Sequence, residues 1–223
     1  MTGQFYVPPE QLIKDRAEFA RKGIRRGRPI VVIEYAEGIL LIGENPSRSL
    51  HKIAEIYDQV AFAAVGRFNE FETLRVAGIR YADVKGFAYA RADVTGKGLA
   101  NAYSQTVGQI FTHEIKPYEV EVIVAELGED DNHIYHVRFD GTLRDEHGFA
   151  VIGGDEDAIR ERMAEAYQPD LELGAAMTVA TTAIAEISEE DISDDAWEAA
   201  VLDVTLGRRK FRRLDLEEIA AAV

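Results

Sequence analysis

His133 and His136 are the closest pair of histidines in the chain, and imidazoles are the side chains best suited to proton transfer near neutral pH or to metal ligation. Two residues separate them, a spacing that shares one face of a helix but divides between the two faces of a strand. The segment Ile134–Phe139 alternates like a strand, and no third ligand lies nearby, so the pair reads as ordinary strand histidines rather than a metal site. Gly153-Gly154 falls between a strand pattern and a helix pattern, where it could cradle a phosphate or simply let the two elements pack tightly. The chain has no Gly-x-Ser-x-Gly elbow, no phosphate-loop lysine and no His-Glu-x-x-His. With no cysteine, catalytic thiols, disulfides, iron–sulfur clusters and thiolate zinc sites are excluded, which fits a reducing cytoplasm. No metal or cofactor is expected.

The elements that would position any site can be read from composition and periodicity. A chain of 223 residues buries on folding roughly 70–75% of the surface it exposes when unfolded, so its core needs no covalent staple. Its 25 Lys and Arg against 40 Asp and Glu give a net charge of −15, which repels a phosphate backbone and argues against nucleic-acid partners. Apolar runs such as Ile39–Ile42 fall far short of the roughly 20 residues that span a bilayer, so no membrane partner is expected. The first residues also lack the basic head and apolar stretch of a signal peptide.

Pro8-Pro9-Glu10 reads as a helix start, with Leu12, Ile13, Ala17, Ala20 and Ile24 at helical spacing. Arg21, Lys22, Arg25, Arg26 and Arg28 gather at its far end, either complementing the helix dipole or forming a docking face for an acidic partner. Two hairpins are predicted next, Ile30–Tyr35 with Ile39–Ile42 around Gly38, then Ile53–Tyr57 with Val60–Val65 around Asp58-Gln59. The four strands are expected to form one sheet. Two helices follow, one with Phe68, Phe71, Leu74 and Tyr81 on a face, the other capped by Thr95 and carrying Leu99, Val107 and Ile110.

A strand with one better-buried face is predicted around Val120, Val122 and Val124, then strands at Ile134–Phe139, Thr142–Leu143 and Phe149–Ile152. One helix carries Ile159 and Met163, and another, capped by Asp170, carries Leu173, Met177, Ile184 and Ile187. The acidic stretch Glu186–Asp195 is expected to be a loop. A last strand at Ala199–Thr205 precedes a basic cluster and a short helix from Asp215. Antiparallel blocks separated by helix pairs predict an α+β fold: a four-layer αββα sandwich of two antiparallel sheets flanked by helices, with an extra amino-terminal helix.

The ordered set formed by the amino-terminal helix, Gly38-Ile39-Leu40-Leu41-Ile42-Gly43-Glu44-Asn45, Lys52-Ile53-Ala54-Glu55-Ile56 and Ala63-Ala64-Val65-Gly66-Arg67 resembles a proteasome subunit. Proteasome subunits belong to the amino-terminal-nucleophile hydrolases, whose layer order is αββα. Glu44-Asn45-Pro46-Ser47-Arg48-Ser49-Leu50 with Lys52-Ile53 resembles the α type of the bacterial 20S proteasome in particular. The resemblance runs from the Pro8-Pro9-Glu10 helix start to the Arg-Arg-Lys-Phe-Arg-Arg cluster near the end.

In the catalytic β subunits of that family an amino-terminal threonine attacks the peptide carbonyl, with its own amine as base. The resemblance places Glu44 and Lys52 at the helper acid and lysine positions and Arg28 or Pro29 at the nucleophile position, where neither can attack. It therefore implies an inert subunit of a threonine-protease complex. Seven copies would form a homo-oligomeric α ring, capping β rings in a particle of four stacked rings with fourteen α and fourteen β subunits. Residues 1–223 would form a single α-type domain: a gating peptide at 1–7 with Phe5, Tyr6 and Val7 closing the pore, a helix at 8–26, and the sandwich at 27–223.

Lys52 would pair with the terminal carboxylate of an activator's tail and Gly66 would let the tail's backbone approach. The activator would be a hexameric AAA proteasome-associated ATPase of the ARC/Mpa type, delivering substrates tagged with the small protein Pup. The tyrosine-aspartate-arginine gate motif of archaeal and eukaryotic α subunits is missing. The alternative reading is a self-processing hydrolase with its own nucleophile, Thr2 or another exposed Thr or Ser; a third is a monomeric binding protein on the same fold.

Overall fold

The structure, a computed structural model, describes residues 8–47, 49–128 and 131–222. Helix α1, Pro9–Arg25, opens on Pro8 and Pro9 without a side-chain cap and places Lys22 and Arg25 in its last turn. Strands β1, Ile30–Tyr35, and β2, Gly38–Glu44, form the first hairpin, with Gly38 at φ +155°. Strands β3, Ile53–Tyr57, and β4, Val60–Gly66, form the second. Helices α2, Phe68–Ala88, and α3, Gly96–His113, follow, and Thr95 accepts from the Gly98 amide to cap α3.

Strands β5, Val120–Leu127, β6, Asn132–Val137, β7, Leu143–Glu146, and β8, Phe149–Ile152, lead to helices α4, Glu156–Ala166, and α5, Leu173–Ile187. Strands β9, Trp197–Asp203, and β10, Phe211–Arg213, precede α6, Leu216–Ala220, whose Asp215 cap is the predicted one.

Two antiparallel five-stranded sheets stack, ordered β10-β9-β2-β1-β8 and β3-β4-β5-β6-β7. Between them Ile30, Val32, Ile39 and Leu41 meet Ile53, Ala63, Val65, Ile123 and Ile134, all buried. Helices α4 and α5 cover the outer face of the first sheet through Ile159, Met163, Met177 and Ile184. Helices α2 and α3 cover the second through Phe71, Leu74, Leu99 and Val107. The predicted αββα order is therefore the observed one, and α1 adds a further element by packing Ala20 and Ile24 on Phe139 at one end of the second sheet.

Several local expectations are corrected. The first four strands do not share a sheet. Strand β2 is already bonded on both edges, to β1 and to β9, so the chain from Asn45 to Lys52 carries β3 and β4 across to the second layer. Strand β5 is buried on both faces, including Glu121 at 2% exposure, because it sits between the other sheet and a helix layer. Asp170 does not cap α5; it takes a positive φ of 61° in the preceding turn, and the helix begins after Glu172.

The acidic stretch is helical at its start, since α5 runs through Ile187, and Ile187 and Ile192 anchor it on the first-sheet core. The basic cluster contains β10. Leu12 and Ile13, expected on the apolar face of α1, are about half exposed, at 48% and 55%.

Candidate functional site

Gly27 joins α1 to β1 and is tightly held. Its N–H donates to Ile24 O at 2.8 Å, its carbonyl accepts from Gly154 N at 2.9 Å, and a Cβ there would stand 2.3 Å from Val65 Cγ1. That use of the Gly154 amide decides between the two readings of Gly153-Gly154 in favour of close packing. Arg28 follows directly. Its guanidinium pairs with Glu44, a carboxylate at the end of β2 that is 5% exposed, and lies 4.0 Å from Glu190.

Lys52 completes the cluster. Its ammonium donates to Arg28 O at 3.2 Å and to Glu44 O at 3.0 Å. Burial pushes the Lys52 amine down to about 8; the Glu198 and Glu44 carboxylates oppose that shift and the Arg28 guanidinium adds to it. The structure thus brings together the three positions read from the sequence as nucleophile, acid and lysine. What they form is a closed set of ion pairs and carbonyl contacts, with no hydroxyl or free amine at position 28.

The backbone of Lys52 belongs to both sheets. Its carbonyl accepts from Ala64 N on β4 at 3.1 Å, while its N–H donates to Glu198 Oε2 on β9 at 3.0 Å. Gly66 lies two residues beyond Ala64 at the same end of the second sheet, with φ +123°. A Cβ there would stand 1.8 Å from Glu119 O, so only glycine fits. Arg67 extends the edge, donating its N–H to Glu119 O and pairing its side chain with the Glu119 carboxylate at 3.1 Å. Lys52 and Gly66 therefore lie at the same end of the second sheet. Phe5, Tyr6 and Val7 lie outside the described residues.

Glu198 was not singled out from the sequence, although it is the hub of this region. It is 8% exposed and accepts from Asn45 Nδ2 at 2.6 Å, Ile53 N at 3.3 Å and Arg213 Nη1 at 2.8 Å, besides Lys52 N. The signal was one acid inside the apolar run Trp197-Glu198-Ala199-Ala200-Val201-Leu202, which demands a buried partner. His133 and His136 are strand residues, as read. His136 is fully buried between the sheets, with Nε2 3.1 Å from Glu121 Oε2 and Nδ1 3.7 Å from Glu146 Oε1. Arg138 and Arg160 reach the same carboxylates, and the group floors a cleft of about 740 Å³ rimmed by Arg21 and Arg25 of α1.

The stacked sheets and helix layers define the amino-terminal-nucleophile hydrolase fold class. Within that class, a family model described as proteasome subunit matches residues 24–202. The chain is 52% identical to the proteasome subunit alpha of Thermomonospora curvata, over 99% of both chains. It is 56% identical to that of Paenarthrobacter aurescens, over 98% of this chain and 97% of the relative, and 54% identical to that of Kineococcus radiotolerans, over 96% and 94%. This chain belongs to the proteasome subunit family, and its relatives are of the α type.

Proposed function

We propose that the chain is a catalytically silent α-ring subunit that controls access to proteolytic β rings and docks an ATPase. The observation that carries this reading is the junction at Arg28 and Pro29, where the resemblance puts the nucleophile. Neither side chain can attack, the Arg28 guanidinium is paired with Glu44, and the chain continues upstream through Gly27 into α1. A subunit without a nucleophile contributes by assembly and by admission. In this reading seven copies form a ring on the β ring, residues 1–7 close its pore through Phe5, Tyr6 and Val7, residues 8–26 meet a neighbouring subunit, and residues 27–223 form the wall.

Lys52 offers a cation to the terminal carboxylate of a hexameric AAA ATPase that brings Pup-tagged proteins in the cytoplasm, and Gly66 is the backbone position that the tail would pass. The exposed Leu12, Ile13 and Phe19 of α1 favour the ring over the monomeric alternative, since a neighbour would cover them. The test is co-expression with the cognate β subunit, reading native mass and fluorogenic-peptide hydrolysis. A ring-sized particle active only with β, and faster after deletion of residues 1–7, is expected. Hydrolysis by this chain alone, or a monomer indifferent to β, would sink the proposal.

A further inference from the structure

We infer that Glu198 is a positioning residue for the Lys52 pocket, holding the lysine's backbone between the two sheets so that its amine stays at the Arg28 and Glu44 carbonyls. The inference rests on the docking reading above. Lys52 follows the chain that leaves β2 after Glu44 and crosses between the layers before entering β3, held at its two ends by the backbone bonds from Asn45 N to Ala196 O and from Ala64 N to Lys52 O. The Glu198 carboxylate ties those ends to each other. Its Oε2 takes the Lys52 N–H and Asn45 Nδ2, and Asn45 Nδ2 also donates to Leu50 O at 2.8 Å, so both ends of the crossing meet at one carboxylate.

Its Oε1 takes Ile53 N–H and Arg213 Nη1, and His51 Nδ1 lies 3.2 Å away. Arg213 in turn donates to Ile53 O, closing a ring of bonds around the start of β3. Glu198 lies on β9 of the facing sheet and is bonded to the Lys52 backbone N–H. It sets where the side chain starts. Glutamine in its place keeps one accepting oxygen and leaves the donors on the other facing an amide NH2 group.

Two consequences of removing the charge have opposite sign at the Lys52 amine. Loss of a nearby negative charge disfavours the ammonium and lowers its titration point. Release of the crossing exposes the amine to water and raises it toward its ordinary value, and this effect is the larger because burial is the first cause of the lowered value. Assembled α–β particles carrying Glu198→Gln, Glu198→Asp, Lys52→Ala or Glu198→Gln with Lys52→Ala are compared.

Acylation of Lys52 by a small amine reagent is followed by mass spectrometry across pH, and binding of a synthetic peptide carrying the ATPase's carboxyl-terminal tail, as free acid and as amide, is measured by anisotropy. The expected result for Glu198→Gln is a titration midpoint moved up and free-acid binding weakened about tenfold. Glu198→Asp, which keeps the charge but loses reach, falls between it and the unaltered particle and serves if the glutamine variant does not assemble. No further loss is expected when Glu198→Gln is added to Lys52→Ala. A midpoint that stays or falls, or losses that add in the double variant, would overturn the positioning role. Unchanged binding in Lys52→Ala alone would instead remove the docking reading, while the acylation midpoint still reports what Glu198 does to the amine.

Discussion

Two basic residues are shifted in opposite directions from their ordinary values. The Lys52 amine, pushed down to about 8 by burial, is charged at neutrality and loses its charge in mildly alkaline solution. A carboxylate tail needs the ammonium. Its affinity is therefore expected to fall as pH rises through about 8, by up to about tenfold per pH unit until the docked complex itself titrates. Tail-peptide anisotropy at about pH 7 and about pH 9 checks this; equal affinities would contradict it.

His136 is shifted toward its charged form. Burial disfavours its charge, but the carboxylates of Glu121 on β5, Glu146 on β7 and Glu156 on α4 outweigh that and raise it above the ordinary imidazole value, with Arg138 and Arg160 as the opposing cations nearby. The contribution to stability is present in full below the unfolded value of about 6.5 and is lost as pH rises through the higher folded value. Its partner Glu146 is held down at about 2 by the His136 imidazole and the Arg160 guanidinium, so that side of the pair persists until strong acid. Denaturation midpoints between about pH 6 and about pH 9 should decline more in the unaltered chain than in His136→Gln. Parallel curves would argue against a charged His136.

Among the elements, α3 shows how much of the fold was local. Thr95 was readable as its cap, and the structure has Thr95 Oγ1 accepting from Gly98 N at 3.1 Å. Thr95→Ala should cost about 1 kcal/mol, measured as a shift of the urea midpoint without a change of slope. The second hairpin shows what was not local. Both hairpins were legible from alternation and turn residues, yet the partner of β2 is β9, far along the chain, and the partner of β4 is β5, beyond two helices. Strand patterns record which face is buried and not which edge is bonded.

The site was legible to the same degree. Lys52, Glu44 and Arg28 sit at the ends of readable strands, but Glu198 reaches them only through the β2–β9 pairing, which no window of sequence contains. Asp170 misled for a related reason. An acid before an apolar helical pattern resembles a cap, and only the turn geometry shows it in the left-handed region.

For the whole molecule, the layer between the sheets is the part on which both halves depend. Leu41 is fully buried there, on the strand bonded to both β1 and β9. Leu41→Ala should destabilise the isolated chain by about 2–5 kcal/mol, the range for truncating a buried leucine in a close-packed core. Chemical denaturation measures it, and a cost below about 1 kcal/mol would mean that the two sheets tolerate a gap there.

The junction at Gly27 has an evolutionary consequence. Replacing Arg28 with threonine would supply a hydroxyl but not an amine, because the preceding residues are stitched down by Ile24, Val65 and Gly154. Exposing an amine there requires cutting the chain at Gly27, which separates α1 from the sandwich and gives up the bonds Gly27 makes to Ile24 and Gly154. Each single step toward catalysis loses structure before it gains chemistry. The silence of such a subunit works as a ratchet: once the helix and the turn are in place, drift at position 28 alone does not lead back to an enzyme.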